Sequence, residues 1–208
     1  REEIEVGTQA DVAIRKEYGV YPDETLQLYV QDVGKKIAKV VDRQDVQYTF
    51  TVLDSPLINA FALPGGFLYI TRGALAQMNS EAELAFVLGH EIAHVTAKHG
   101  AQKLSQIKSI NFANILAHVI TNQDDLGTAG RLANMGINLA VLGYGRENEF
   151  ESDILGLDYA HRAGYDTVKG ARFLHTLKRQ HDFEPDWLSQ FLVSHPPHNL
   201  IQRDLSPY

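Results

Sequence analysis

The sequence predicts a mainly helical α+β domain in which a small antiparallel sheet lies beside a helix that starts at Ser80. Three patterns carry that expectation. Apolar residues recur at helical spacing from Ile4 to Val40, the period switches to two at Gln47 and runs into a Pro-Gly-Gly turn, and helical periodicity returns after Gly73 and persists. The 208 residues suit one domain, 1–208, with no internal repeat or interdomain linker.

The first helix is marked by Ile4, Ala10, Ala13 and Ile14 and closes near Tyr18, before Gly19 and Pro22. Leu26, Tyr29, Val30, Val33, Ile37 and Val40 mark a second amphipathic helix. Tyr48, Phe50 and Val52 then alternate with Gln47, Thr49 and Thr51, the pattern of a half-buried strand that ends before Pro56. Ile58 to Leu63 and Phe67 to Ile70 flank Pro64-Gly65-Gly66 and read as a hairpin. Ser80 with Glu83 three residues later forms a capping box, and Leu84, Val87, Leu88 and Val95 give that helix a buried stripe running to His99-Gly100. Further helical segments are expected over 102–121, 129–143, 146–163 and 168–181, with Pro185, Pro196, Pro197 and Pro207 breaking up the end. The uncharged stretches 109–123 and 132–145 fall short of the ~20 apolar residues that a membrane span needs.

Composition narrows the chemistry. With 19 Lys+Arg against 26 Asp+Glu, the net charge of −7 disfavours nucleic acid and anionic membranes as partners. There is no cysteine, which excludes thiol nucleophiles, thiolate zinc sites, iron–sulfur clusters and disulfides. Nine histidines remain as candidate ligands, so any transition-metal site must be built from imidazole and carboxylate.

The Ser80 helix contains His90-Glu91-Ile92-Ala93-His94. Residues four apart share a helical face, so the two imidazoles converge on one point, as a tetrahedral zinc ion requires. Glu91 lies one position round and is placed to act on a water rather than to bind the metal. A third protein ligand must come from elsewhere. Glu149 and Asp153 are four apart in the acidic segment 147–153: one of them can bind the metal while the other accepts a hydrogen bond from a ligating imidazole. Glu151 points about 160° away from Glu149 on a helix and is expected at the surface.

Asn59 through Leu75 (NAFALPGGFLYITRGAL), the HEIAH motif and Arg146 through Asp153 together resemble one family of zinc metallopeptidases. That family includes the CAAX prenyl endopeptidase, the mitochondrial inner-membrane stress peptidase and the bacterial periplasmic beta-barrel assembly-enhancing protease. The resemblance runs from Glu5 to Arg203. It implies a gluzincin-like domain with one Zn2+ per chain, held by His90, His94 and Glu149 with Asp153 as partner, and with Glu91 as general base. It also implies that the segment containing Asn59, Ala60, Phe61, Ala62, Gly65 and Gly66 binds an extended substrate by strand addition. Ser194-His195-Pro196-Pro197, followed by Arg203, resembles the family's His-Pro element. His195 would then stabilise the oxyanion or cover the open metal position in a latent form, Arg203 would orient the site, and His198 in the spacer competes with His195 for the role.

The implied activity is endopeptidase cleavage of unfolded or misfolded polypeptides in protein quality control. Its rival is a latent or chaperone-like module that binds such chains without efficient cleavage. The expected partners are extended polypeptides, with peripheral association with membrane proteins. The expected location is periplasmic or cell-envelope, with the presequence absent, and the cytoplasm is the alternative. His99, His118, His161, His175 and His181 have no partner at ligand spacing and are expected to be surface or hydrogen-bonded structural residues.

Overall fold

A computed structural model describes residues 2–109 and 144–173. Helices α1 (Glu2–Tyr18) and α2 (Glu24–Ala38) precede strands β1 (Thr49–Leu53), β2 (Ala60–Leu63) and β3 (Phe67–Thr71). The short α3 (Arg72–Leu75), then α4 (Glu81–Thr96), α5 (His99–Ser109) and α6 (Arg146–Arg162) follow, and one more helix opens at 167 and is described as far as 173. The expected segment 129–143, most of 102–121, the end of 168–181 and the whole His195–Arg203 region lie outside the described residues. Among the described residues no helix is long and apolar enough to cross a membrane.

The α+β class and the hairpin agree with the sequence, but the sheet is mixed rather than purely antiparallel. β2 pairs antiparallel with β3 (Ala60 opposite Ile70, Leu63 opposite Phe67), whereas β1 pairs parallel with β3, giving the order β1-β3-β2. The reason lies between β1 and β2. Residues 54–59 carry the chain across the end of the sheet, pinned where the Thr71 hydroxyl donates to the Leu57 carbonyl (2.5 Å) and accepts from the Asn59 N–H (3.0 Å). β2 therefore docks on the far side and β3 fills the middle. The Pro64-Gly65-Gly66 turn has φ of 89° and 94° at its two glycines, a region other residues rarely adopt.

Strand alternation divides the core in two. Phe50, Val52, Ala60, Ala62, Leu68 and Ile70 pack with α2 and α4, while Leu53, Phe61, Leu63 and Tyr69 pack with Ala10 and Ile14 of α1. The sheet is thus covered by α1 on one face and by α2 and α4 on the other.

Helix α4 starts on a capping box shifted by one residue on its return bond. The Ser80 hydroxyl accepts from the Glu83 N–H at 3.3 Å, while the Glu83 carboxylate reaches back to the Asn79 N–H at 2.6 Å. Every residue from Glu83 to Val95 is buried, so this helix is the centre of the fold rather than a half-exposed element. It crosses α6 at a pair of glycines. A Cβ on Gly89 would stand 2.7 Å from the Gly156 carbonyl oxygen, and one on Gly156 would stand 2.7 Å from the His90 nitrogen, so only glycine allows this approach. α4 ends at Thr96, short of the expected His99. Lys98, with φ of 60°, turns the chain into α5.

Candidate active site

The close α4–α6 crossing brings the HEIAH motif against the acidic face of α6. His90 Nε2 and His94 Nε2 lie 3.1 Å apart, His90 Nε2 is 3.3 Å from Glu149 Oε2, and His94 Nε2 is 3.5 Å from Glu149 Oε1. An ion bound tetrahedrally at zinc's bond lengths of about 2.0–2.1 Å would hold its ligand atoms ~3.3–3.4 Å apart, so the spacing fits. The donor chemistry fits as well. All three side chains are buried, and Glu149 Oε1 is inaccessible to solvent with no hydrogen-bond donor among the described residues, a cost that a cation would remove.

Electrostatics favour positive charge at the same point. Burial opposes a charged His90 imidazole, yet hydrogen bonds and Coulomb attraction from Asp153 and Glu149 outweigh it and raise its pKa well above 6.5. His90 Nδ1 is 2.9 Å from Asp153 Oδ1, which leaves Nε2 directed at the ligand cluster. Asp153 therefore stands where the four-residue spacing put it. Glu151 is on the opposite side of α6 with its side chain 55% exposed.

Glu91 is 2% exposed and adjacent to His90 on α4. Beside His94 a small cleft is lined by Ala62, Leu63 and Pro64 of the hairpin and by Tyr144, so the β2 end and His94 share one wall. β2 is the outer strand of the described sheet, with Ala60 through Leu63 all 7% exposed or less. His195, His198 and Arg203 fall outside the described residues.

Two residues at the site carry no role in the sequence reading. Tyr144 stacks on the His94 ring, centroids 4.1 Å apart at 19°, with its phenol pKa pushed up by burial and by the nearby Glu91 and Glu149 charges. His99 is 1% exposed, and its Nδ1 lies 3.0 Å from His94 Nδ1. No motif marks Tyr144. A signal for His99 existed in its histidine type five residues past His94, but a continuous helix would turn it about 140° away from His94.

A helix presenting two imidazoles and a neighbouring glutamate, faced by a carboxylate from a second helix and flanked by an edge strand, defines a metallopeptidase domain whose donor set suits one metal ion. Residues 24–202 match the model of Peptidase family M48, and the chain belongs to that family. It is 34% identical over 140 residues to the mitochondrial metalloendopeptidase OMA1 of Schizosaccharomyces pombe, covering 67% of this chain and 40% of that protein. It is 26% identical over 191 residues to the beta-barrel assembly-enhancing protease of Yersinia pestis, covering 88% of this chain and 37% of that one. The corresponding Escherichia coli protein is 26% identical over 206 residues, 94% of this chain and 41% of its own length. The chain thus spans well under half of each of these relatives.

Proposed function

We propose that the chain is a zinc-dependent endopeptidase, one domain over 1–208, that hydrolyses peptide bonds of unfolded or misfolded proteins. The observation that carries this reading is the convergence of His90 Nε2, His94 Nε2 and the Glu149 carboxylate at 3.1–3.5 Å, beside a buried Glu91. In this mechanism His90, His94 and Glu149 hold the ion, and Asp153 keeps the His90 ring aimed at it. Bound zinc supplies Lewis acidity, polarising the scissile carbonyl and making water a better nucleophile at neutral pH. Glu91 takes a proton from the attacking water and delivers it to the departing amine. The segment Asn59–Ala62, turned by Gly65 and Gly66, lines up an extended chain through main-chain hydrogen bonds, which gives affinity with little sequence preference. His195 stabilises the oxyanion and Arg203 orients the site.

Likeness to beta-barrel assembly-enhancing proteases supports a periplasmic or cell-envelope location and peripheral contact with membrane proteins. The test is hydrolysis of casein by protein loaded with one zinc per chain, compared with Glu91→Gln. Activity lost in that variant supports the reading, and zinc-loaded wild type without Glu91-dependent cleavage refutes it.

The burial of Ala60–Leu63 favours a second reading, a latent or chaperone-like form whose strand is covered. His195→Ala separates the two: increased proteolysis supports a plug, and decreased proteolysis supports the oxyanion role.

A further inference from the structure

The two histidines of the motif are held from behind by different means. His90 Nδ1 meets a carboxylate directly, at Asp153. His94 Nδ1 meets another imidazole, His99 Nδ1, at 3.0 Å, and the far side of His99, Nε2, lies 3.1 Å from Glu151 Oε2. We propose that His99, backed by Glu151, is a positioning residue that fixes the tautomer and ring orientation of His94, so that Nε2 of His94 is presented to the metal.

The inference rests on the metal-site reading, because that reading sets the direction of every proton in the chain. A ligating Nε2 on His94 must be bare, so its Nδ1 carries the hydrogen and donates. His99 Nδ1 must then accept, which places the His99 hydrogen on Nε2, where the Glu151 carboxylate accepts it. The reverse arrangement would protonate His94 Nε2 and remove it as a ligand. Ser152, fully buried, brings its hydroxyl within 3.4 Å of the same His99 Nδ1 as a longer, weaker contact.

Burial makes the relay specific. His94 and His99 are each 1% exposed, so water does not substitute freely for a missing partner, and Tyr144 closes the face of the His94 ring at 4.1 Å. The geometry depends on the break at Lys98, whose positive φ swings His99 back toward His94. Glu151, on the outer side of α6, thereby acquires a role at the site through His99.

The test measures zinc affinity by competition with a chromogenic chelator, in wild type, His99→Leu, His99→Asn and Glu151→Ala, with the cobalt(II) spectrum as a second readout. Loss of such an outer hydrogen-bond partner is expected to weaken metal binding by about 10- to 100-fold in His99→Leu, with a shifted cobalt spectrum. His99→Asn keeps an acceptor oxygen near the Nδ1 position and should restore affinity to within about threefold of wild type. Equal weakening in both variants would assign His99 a packing role and overturn the inference, as would wild-type affinity in His99→Leu. If His99→Leu does not fold, Glu151→Ala decides, since its side chain is 55% exposed and its truncation opens no cavity in the core. Weaker zinc binding there supports the relay, and unchanged binding overturns it. Failure of the wild type itself to bind zinc would overturn the metal-site reading, and this inference with it.

Discussion

Replacing Gly156 with alanine sets two effects of opposite sign against each other at the crossing that assembles the site. On propensity alone, alanine in the middle of a helix is worth about 1 kcal/mol over glycine. Against this, the new Cβ would lie 2.7 Å from the His90 nitrogen and 2.9 Å from its Cα, where ordinary contact begins at 3.4 Å. Those atoms are backbone and cannot rotate away, so α4 and α6 must part by about 0.7 Å, the difference between 3.4 and 2.7 Å. Overpacking of this kind costs ~1–3 kcal/mol, which leaves a net loss of ~0–2 kcal/mol after the propensity gain and a Tm lower by up to about 8 °C for a chain of this size. Glu149 sits on the displaced helix, so zinc affinity should fall together with Tm. The assay is thermal unfolding in excess chelator alongside zinc competition. A Tm that rises, with zinc affinity unchanged, would mean that propensity acts alone and that the glycine crossing does not set the metal geometry.

Glu91→Gln should lower kcat for casein by ~10²–10⁴-fold while zinc content, measured by elemental analysis, stays at one per chain. Asp153→Ala should weaken zinc binding by about 10- to 100-fold, measured by chelator competition, since His90 loses the carboxylate that holds its Nδ1. Phe86→Ala, at a core position 2% exposed, should cost ~3–5 kcal/mol, visible as a lower urea midpoint. The acid limb of stability should depend on Glu81. Burial would raise its pKa, but hydrogen bonds from Tyr165 and Tyr29 and the Lys36 ammonium outweigh burial and hold it below 4.5. A depressed carboxylate contributes stability above its unfolded pKa and loses it as pH falls through the folded one. Glu81→Gln should therefore destabilise at neutral pH and flatten the loss below pH ~4.5, in urea titrations at stepped pH.

The parts of this molecule that were legible from sequence are those encoded by local periodicity. Ser80 and Glu83 announced α4, four-residue spacing placed His90 with His94 and Glu149 with Asp153, and the Pro64-Gly65-Gly66 turn gave the hairpin. What escaped is what depends on contacts far apart in the chain. The parallel pairing of β1 with β3 follows from the Thr71 clasp on residues 57 and 59, which no strand pattern reveals. Gly89 and Gly156 look like weak points in two helices until their backbones are found against each other. His99 has no partner at ligand spacing in the sequence; of the two expectations for it, surface or hydrogen-bonded, the second holds, because the positive φ at Lys98 swings it back to His94.

His90, His94 and Glu149 are proposed to hold a zinc ion. A crystal structure of the zinc-loaded protein with anomalous data collected at the zinc edge tests it directly. One anomalous peak per chain is expected, about 2.0–2.1 Å from Nε2 of His90 and of His94 and about 2.0–2.2 Å from a Glu149 carboxylate oxygen. A peak ligated by Glu151 or His99 in place of those atoms, or no peak at the motif, would contradict it.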